Sequence, residues 1–196
     1  IIRFSSIGDI ILTTPVLRCI KTQRPEIEIH YLTKKSFRSI LDSNPYISKI
    51  HTIEKDVGEI AEELKKENFD EIIDLHNNLR TLQTKLLLRK KASTFQKLNF
   101  QKWLLVRFKI NMMPNIHVVD RYMQTVKYLG IKNDEQGLDY FIPVKDEVDL
   151  QTLPTTHQQG FTGFVIGAKH FTKQLPTEKI ISICKKINHP IVLLGG

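Results

Sequence analysis

The first fifteen residues constrain the fold of this chain more than any other stretch. They read Ile-Ile-Arg-Phe-Ser-Ser-Ile-Gly-Asp-Ile-Ile-Leu-Thr-Thr-Pro, which is an apolar strand, a tight polar loop and the start of a helix. In parallel α/β sheets the loops at the strand ends converge on one crevice, and helix N-termini direct free N–H groups into it. Asp9 lies at the mouth of this helix, so we predict that it is a catalytic carboxylate. A plain helix-capping role is equally consistent with its position.

Short β-rich runs alternate with helical runs along the chain. We predict strands at residues 1–4, 28–32, 49–53, 71–75, 92–95, 163–166 and 191–194. Between them, Val57 to Glu67 carries apolar residues at the spacing of an amphipathic helix. Alternation with short connections indicates βαβ units and an open parallel sheet with helices on both faces. The predicted fold class is therefore α/β.

Two helix boundaries can be predicted from capping residues. Asp120 is a candidate N-cap for a helix with Met123, Val126 and Leu129 on its apolar face, and Gly130 is placed for a left-handed C-terminal cap. Pro15 removes a backbone donor from the first long helix, so we expect that helix to begin near Thr14 or to kink there.

The chain is expected to contain two Rossmann-like domains of unequal completeness. Residues 1–142 form a first domain, 143–160 a polar linker, and 161–196 the start of a second domain. A single β-α-β unit of this size cannot bury a core of its own, so we expect the second domain to be incomplete. The chain also begins without Met and inside a strand, so a few preceding residues are expected to be missing.

The charge is basic and unevenly distributed. Lys and Arg number 29 against 21 Asp and Glu, a formal net charge of +8, which favours anionic partners. Between Lys85 and Lys109 there is no acidic residue, and the basic side chains alternate with Leu, Phe and Trp. This pattern suits an anionic lipid-linked substrate or the inner membrane surface, and a solvated helix face is the alternative. No helix-turn-helix or RNA-module signature stands out, so nucleic acid is the less favoured partner.

The cysteines and the absence of long apolar runs bear on location. Cys19 and Cys184 lie far apart on apolar stretches, which indicates buried thiols of a reducing compartment rather than a disulfide or metal framework. No run approaches the roughly 20 apolar residues that a membrane span needs. We therefore expect a cytoplasmic protein, with peripheral membrane contact as an option.

Several motifs together resemble a known family. The opening run through Arg18 resembles the N-terminal signature of the heptosyltransferases of glycosyltransferase family nine, enzymes of lipopolysaccharide core synthesis. Asp74-Leu75-His76 followed by Leu79-Arg80 resembles the family's Asp-Leu-x-x-x-x-Arg loop, and His117 with Asp120-Arg121-Tyr122 through Leu129-Gly130 resembles its helix ending in Leu-Gly. Gly167-Ala168 and Lys173-Gln174-Leu175-Pro176 resemble its Gly-Ala and Lys-x-Trp-Pro segment, with Leu175 in place of Trp.

The resemblance implies a GT-B architecture, in which two Rossmann-like domains face each other across a cleft, and an inverting transfer of a sugar from a nucleotide-sugar donor. Heptose carried as ADP-heptose is the donor that the family implies, and a lipopolysaccharide core or related glycan is the acceptor. Asp9 would be the general base, and Lys173 would stabilise the departing diphosphate. The donor would be bound by Gly167, Ala168 and Lys173. The acceptor or the cleft would be lined by Ser5, Ser6, Gly8, His76, Asn77, Asn78 and Arg80.

No resident metal or other cofactor is expected, although a requirement for a divalent cation stays open. Two alternative functions also stay open at this point: a nucleotide-sugar epimerase of similar architecture, and a non-catalytic binder of anionic lipid or glycan in which Asp9 only caps a helix. Dinucleotide oxidoreduction is disfavoured because no Gly-x-Gly-x-x-Gly follows the first strand.

Overall fold

The computed structural model describes residues 1–168 and 171–195. The chain divides into two compact units, one spanning Ile1–Pro143 and the other running from Val144 onward. Each unit is described below by itself.

A parallel sheet forms the centre of the first unit. Its named strands are β1 (His30–Lys34), β2 (Lys49–Ile53), β3 (Glu71–Asp74) and β4 (Lys91–Thr94). Strand β1 pairs with β2, and β3 pairs with β4. The extended segment Ile1–Phe4 joins the two pairs, because Ile2 bridges both Leu32 and Asp74 in parallel. The predicted first strand is thus present as a central segment bridged at one residue, and the predicted α/β fold with parallel strands is confirmed.

The order of these strands across the sheet locates a crevice. From one edge to the other it is β2, β1, the Ile1–Phe4 segment, β3 and β4. In chain order this is the 3-2-1-4-5 arrangement of doubly wound sheets. The connections reverse direction between the Ile1–Phe4 segment and β3, so the loops that follow these two elements flank the topological switch point.

The helices of the first unit lie between the strands in sequence. They are α1 (Ile7–Ile11), α2 (Thr14–Gln23), α3 (Ala61–Lys66), α4 (Leu79–Leu88), α5 (Asn99–Phe108) and α6 (Val118–Met123), with 3-10 turns at Lys35–Ile40, Val57–Ile60 and Gln124–Leu129. The start of α2 at Thr14, with Pro15 in its first turn, confirms the predicted boundary. The helix predicted at residues 57–67 is present, but its first turn is a 3-10 turn.

The predicted N-cap of α6 was wrong, and its predicted C-terminal end was correct. His117 caps the helix, accepting a hydrogen bond from the backbone N–H of Val119 at Nδ1 (3.3 Å), and Asp120 lies inside the first turn. Asp120 there still favours the helix, because a carboxylate near the N-terminus complements the helix dipole. Gly130 closes the following 3-10 turn with φ of 78°, as predicted.

Two apolar clusters cover the two faces of the sheet. Successive strand residues point to opposite faces, so Tyr31 and Ile73 pack with α2 and α6 on one face, whereas Leu32 and Ile72 pack with Leu64 of α3 on the other. This arrangement holds the strand ends, and the loops that leave them, in fixed positions.

The second unit contains a single parallel strand pair. Strands β5 (Thr162–Val165) and β6 (Ile191–Leu194) pair, and the helix α8 (Thr177–Cys184) lies between them in sequence. Residues 143–160, predicted as a linker, carry 3-10 turns at Val144–Asp146 and Leu150–Thr152 and the short helix α7 (Thr155–Gln158). A further 3-10 turn covers Phe171–Lys173. None of the described residues of this unit is fully buried.

Candidate functional site

Two loops meet at the switch point of the first unit. One loop follows the Ile1–Phe4 segment and leads into α1, and the other follows β3 and leads into α4. They are in direct contact, because Arg3 Nη1 donates a 2.6 Å hydrogen bond to the carbonyl of Leu75, and the rings of Phe4 and His76 meet edge to face with centroids 5.6 Å apart. Ligands of doubly wound sheets bind in such a crevice. The structure therefore brings Asp9 and His76, predicted from separate motifs, to one edge of the sheet.

Asp9 is held through one carboxylate oxygen. Its Oδ2 accepts hydrogen bonds from the hydroxyl of Ser6 (2.8 Å) and the backbone N–H of Ser6 (3.3 Å), and it lies 2.8 Å from Nη2 of Arg3. Ser6 is the N-cap residue of α1 and Asp9 stands three residues later. The capping interpretation is thus correct in part, since the Asp9 side chain closes the first turn of the helix. All these contacts fall on Oδ2, so Oδ1 remains the oxygen that can face a ligand.

The surroundings of Asp9 favour its ionised form. Burial by itself would raise the pKa of the carboxyl, but the hydrogen bonds from Ser6 and the positive charge of Arg3 outweigh burial and hold the pKa below its usual value. The side chain of Asp9 is 40% exposed, whereas that of Arg3 is 9% exposed. At neutral pH the crevice therefore presents a fixed, ionised carboxylate to solvent.

Arg3 is a residue of the site that the sequence analysis did not single out. Besides Asp9, its guanidinium donates to the carbonyls of Ser5 (2.7 Å) and Leu75 (2.6 Å) and to the hydroxyl of Tyr122 (3.1 Å). A planar guanidinium with several fixed donors suits such simultaneous contacts. The signal was present in the sequence, because a charged residue inside the apolar run Ile-Ile-Arg-Phe must be buried with partners.

The loop after β3 uses most of its polar groups internally. The backbone N–H groups of His76 and Asn77 both donate to Oδ1 of Asp74, at 3.0 and 2.7 Å. Asn77 also donates from Nδ2 to the carbonyl of Phe95 (2.9 Å), and Asn78 caps α4 by accepting from the N–H of Thr81 (3.0 Å). The predicted acceptor contacts of Asn77 and Asn78 would therefore involve side chains that already stabilise the loop.

His76 retains an unused polar atom. Its Nδ1 is buried and has no hydrogen-bond partner among the described residues. Burial, together with the positive charges of Arg3 and Lys97, lowers the pKa of His76 to about 4, so the ring is neutral at physiological pH. A neutral imidazole with a free nitrogen can accept or donate a hydrogen bond to a ligand hydroxyl. Arg80, the last predicted acceptor residue, is half-buried in the first turn of α4.

Asp74, Lys85 and Lys97 are three further charged residues near these two loops. Asp74 is fully buried, and Nζ of Lys85 lies 2.9 Å from its Oδ2, so the pair compensates the buried charge. Lys97 is close enough to Arg3, Asp74 and Asp9 to sense their charges, and burial followed by the charge of Arg3 lowers its pKa. The sequence analysis had placed Lys97 only in a basic stretch. The fold places it within electrostatic range of the Asp9 carboxylate.

The predicted donor residues lie in the second unit. Gly167 and Ala168 follow β5, and the carbonyl of Ala168 accepts a hydrogen bond from the side chain of Gln174 (2.8 Å). Lys173 ends the 3-10 turn Phe171–Lys173 and is exposed. Gly196, the last residue of the predicted second domain, lies outside the described residues.

Comparison with known proteins finds that the chain is similar to glycosyltransferases of the heptosyltransferase type. In the curated collection the chain is 24% identical to the lipopolysaccharide heptosyltransferase 1 of Campylobacter coli, over 95% of the chain and 59% of that relative. It is 26% identical to the lipopolysaccharide core heptosyltransferase OpsX of Haemophilus influenzae, over 74% of the chain and 44% of that relative. The chain thus spans about half the length of these relatives. No family model matches it.

Solved structures agree with the curated relatives. The glycosyl transferase family 9 structure from Veillonella parvula superposes with a TM-score of 0.78 at 21% identity, covering 100% of this chain and 61% of that one. The E. coli heptosyltransferase WaaC, solved with ADP, superposes with a TM-score of 0.65 at 19% identity, covering 98% of this chain and 64% of that one. The predicted resemblance to the heptosyltransferases is confirmed, and the fold is that of part of a GT-B glycosyltransferase.

Proposed function

We propose that this chain is part of an inverting glycosyltransferase, with the acceptor bound by its first unit. It would transfer heptose from ADP-heptose to a lipopolysaccharide core or related glycan. The observation that carries the proposal is the position of Asp9, an ionised and half-exposed carboxylate held at the switch point of a doubly wound sheet. The names of the relatives and of the similar structures support sugar transfer, and they do not favour an epimerase or a non-catalytic binder.

The geometry of Asp9 suits general-base catalysis. In the proposed step, the acceptor hydroxyl gives its proton to Oδ1 of Asp9 as its oxygen forms a bond to the anomeric carbon of the donor. The bond from that carbon to the diphosphate breaks at the same time, and the configuration inverts. Arg3 and Ser6 hold Oδ2, so the carboxylate does not have to be oriented when the substrate binds.

One cation and one neutral imidazole near Asp9 are candidate groups for acceptor binding. Lys97 lies within electrostatic reach of the carboxylate, and His76 lies in the adjoining loop with its buried Nδ1 unpaired among the described residues. We infer that His76 contacts an acceptor hydroxyl and that Lys97 attracts anionic substituents of the acceptor. Ser5, Gly8 and Arg80 would line the rest of the crevice.

The donor is assigned to the second unit. Lys173 would lie against the diphosphate, where negative charge develops as the bond breaks, and the backbone of Gly167 and Ala168 would contact the nucleotide. The assignment rests on the family's motifs in residues 167–176. No requirement for a resident metal is proposed for the transfer.

The helix α5 and its neighbours form a surface suited to an anionic membrane. Phe100, Trp103, Val106 and Phe108 are exposed on this helix, with Trp103 53% exposed and Val106 73% exposed. Lys97, Lys102, Arg107 and Lys109 surround them, and no acidic residue lies in the segment. A solvated helix face would not expose so many large apolar side chains. We infer peripheral contact with the cytoplasmic face of the inner membrane, where a lipid-linked acceptor resides.

Three of the basic residues between Lys85 and Lys109 already have partners within the fold. Lys85 pairs with Asp74, Lys90 contacts the side chain of Asn68, and Lys91 pairs with Glu71. These three lysines already have polar partners, so we assign the membrane-facing charges to the basic residues from Lys97 to Lys109. Among the helices of residues 1–168 and 171–195, none combines the length and apolar character needed to cross a bilayer.

The test is an acceptor-dependent transfer assay with the full-length protein. ADP-heptose and a heptose-free core acceptor are supplied, ADP release is followed, and the anomeric configuration of the product is determined by NMR. The proposal predicts ADP release only with acceptor present and an inverted product. Conversion of the donor to its epimer without acceptor would establish the epimerase alternative. Binding of the acceptor without turnover would establish the binding protein.

A further inference from the structure

A second cluster of ionisable side chains lies away from the carboxyl ends of the strands, beside β1 and β2. His30 is the first residue of β1, His51 is the third residue of β2, and Glu67 follows α3. One ligand atom from each of the three lies within 4.8 Å of the other two. His30 Nδ1 is 3.0 Å from His51 Nε2 and 3.8 Å from Oε2 of Glu67. The catalytic crevice is at the carboxyl ends of the strands, so this cluster is separate from it.

The spacing fits a small divalent transition metal. Zinc binds imidazole nitrogen at about 2.0–2.1 Å in tetrahedral geometry, which separates two ligand nitrogens by about 3.3 Å. The two histidine nitrogens lie slightly closer than this, so a small rotation of the rings would admit an ion between them. The carboxylate of Glu67 lies on the same side, and water would complete the coordination, since the side chains of His30 and Glu67 are 14% and 22% exposed.

A neighbouring carboxylate orients His51 as a ligand. His51 Nδ1 lies 2.6 Å from Oε1 of Glu63, whereas its Nε2 points toward His30. A proton on Nδ1 donated to Glu63 leaves the lone pair on Nε2. Metal-binding histidines are typically held in this way, with the second ring nitrogen hydrogen-bonded to a carboxylate or carbonyl. The rings of His30 and His51 both pack against Phe69 in T-shaped arrangements.

The charges around the cluster are net negative and favour a bound cation. Glu63 and Glu67 contribute two negative charges, and Lys49 contributes one positive charge. Lys49 Nζ contacts Oε1 of Glu67 and lies 3.6 Å from Glu63. Because Lys49 occupies Oε1, Oε2 of Glu67 remains the oxygen that faces His30.

We propose that His30 Nδ1, His51 Nε2 and Glu67 Oε2 form a binding site for a divalent metal of the zinc class. The ion joins β1, β2 and the end of α3, so its role is to stabilise the packing of α3 against these two strands. It takes no part in sugar transfer, because the reacting groups are at the opposite strand ends. Without an ion, the same residues form a hydrogen-bonded network, and the experiment distinguishes these two states.

The experiment measures Zn²⁺ binding to the metal-stripped protein by competition with a chromophoric chelator, and thermal stability with and without Zn²⁺. The proposal predicts one saturable site and a rise in melting temperature with Zn²⁺. His30→Ala and Glu67→Gln change partly exposed side chains and should abolish both effects while the far-UV circular dichroism spectrum stays unchanged. Glu63→Gln should weaken binding about 10–100-fold through the lost orientation of His51. Co²⁺ in place of Zn²⁺ should give the d–d absorption of a nitrogen-and-oxygen site.

Two further variants guard against adventitious binding. His189→Ala removes an exposed histidine of the second unit and should leave the affinity unchanged. Lys49→Met removes a competing cation from Glu67 and should tighten binding. Absence of a saturable site, or equal affinity in the wild type, His30→Ala and Glu67→Gln, would overturn the proposal and leave the cluster as a hydrogen-bonded network.

Discussion

The guanidinium of Arg3 lies 2.8 Å from the carboxylate of Asp9, and the two residues differ sharply in exposure. Arg3 is buried between the first two loops of the switch point, whereas Asp9 reaches the solvent. The buried partner therefore fixes the orientation of the exposed one. The carboxylate of Asp9, the proposed general base, is thus positioned by the core of the sheet and not by its loop alone.

Replacing Asp9 by Asn should remove the proposed general base with little damage to the fold. The amide keeps the size of the side chain and an oxygen that can accept from Ser6. We expect turnover in the full-length enzyme to fall by about a hundredfold or more, with a melting temperature close to that of the wild type. Near-normal turnover in Asp9→Asn would assign Asp9 to capping only.

Arg3→Met should affect both stability and the acidity of Asp9. Carbonyls of Ser5 and Leu75 lose a buried donor, so the free energy of unfolding should fall by about 2–3 kcal/mol. Loss of the positive charge should raise the pKa of Asp9 toward its usual value, measurable by NMR titration of the carboxyl carbon. Arg3→Lys should preserve part of the charge effect but less of the stability, because an ammonium cannot make the same fan of contacts. An unchanged pKa in Arg3→Met would contradict the role assigned to the pair.

The free energy of unfolding at acidic pH should depend on the ion pair between Arg18 and Asp134. Arg18 of α2 is nearly buried and donates to Asp134 (2.7 and 2.8 Å) and to Asp139. The hydrogen bond from Arg18 lowers the pKa of Asp134 to about 2. A lowered carboxyl pKa stabilises the native state above the unfolded pKa of about 3.8, and this stability is lost as the pH falls from there toward 2.

The measurement is urea denaturation from pH 6 to pH 2.5. Asp134→Asn should lower the free energy of unfolding at pH 6 by about 1–2 kcal/mol and flatten its decline below pH 4. Asp70→Asn, a change at an exposed carboxylate, should leave both the value and the decline unchanged. A wild-type decline below pH 4 that persists undiminished in Asp134→Asn would refute the prediction.

Binding to anionic vesicles should depend on the basic residues around α5. Neutralising Lys102, Arg107 and Lys109 together should weaken association by about 1 kcal/mol per charge, and high salt should weaken the wild type. Neutralising Arg89, Lys90 and Lys91 should have a smaller effect, because Lys90 and Lys91 already contact Asn68 and Glu71. Flotation assays compare the proteins at two salt concentrations. Equal flotation of the wild type and both triple variants at both salt concentrations would show that α5 is a solvated helix face without a role in membrane binding.

Lys173→Ala should weaken the reaction on the donor side. The substitution removes the positive charge that we propose to lie against the donor diphosphate, so the KM for the donor should rise and kcat should fall. Lys173→Arg should restore only part of the loss. Lys179→Ala, at another exposed lysine of the same unit, serves as the control. Wild-type kinetics in Lys173→Ala would exclude it from catalysis.

Local features of the fold could be predicted because they depend on neighbouring residues. Pro15 restricts where α2 begins, Gly130 tolerates the positive φ that ends the turn before it, and apolar periodicity marks the helix near Val57. The cap at Asp120 was wrong because Ser, Asp and Asn are preferred caps only on average, and here His117 supplies the acceptor. The 3-10 turn that opens the helix at Val57 was also missed.

The sequence alone determined the strand, loop and helix that present Asp9, together with the family resemblance carried by that run, because all of this is encoded within a few residues of the chain. Tertiary structure alone decided which charged groups meet. Arg3 reaches Leu75 and Tyr122, and His30 meets His51 and Glu67, because the strand order of the sheet brings distant segments side by side. Local propensity carries no information about such pairings, since their energy comes from burying charges that are satisfied only in the folded chain.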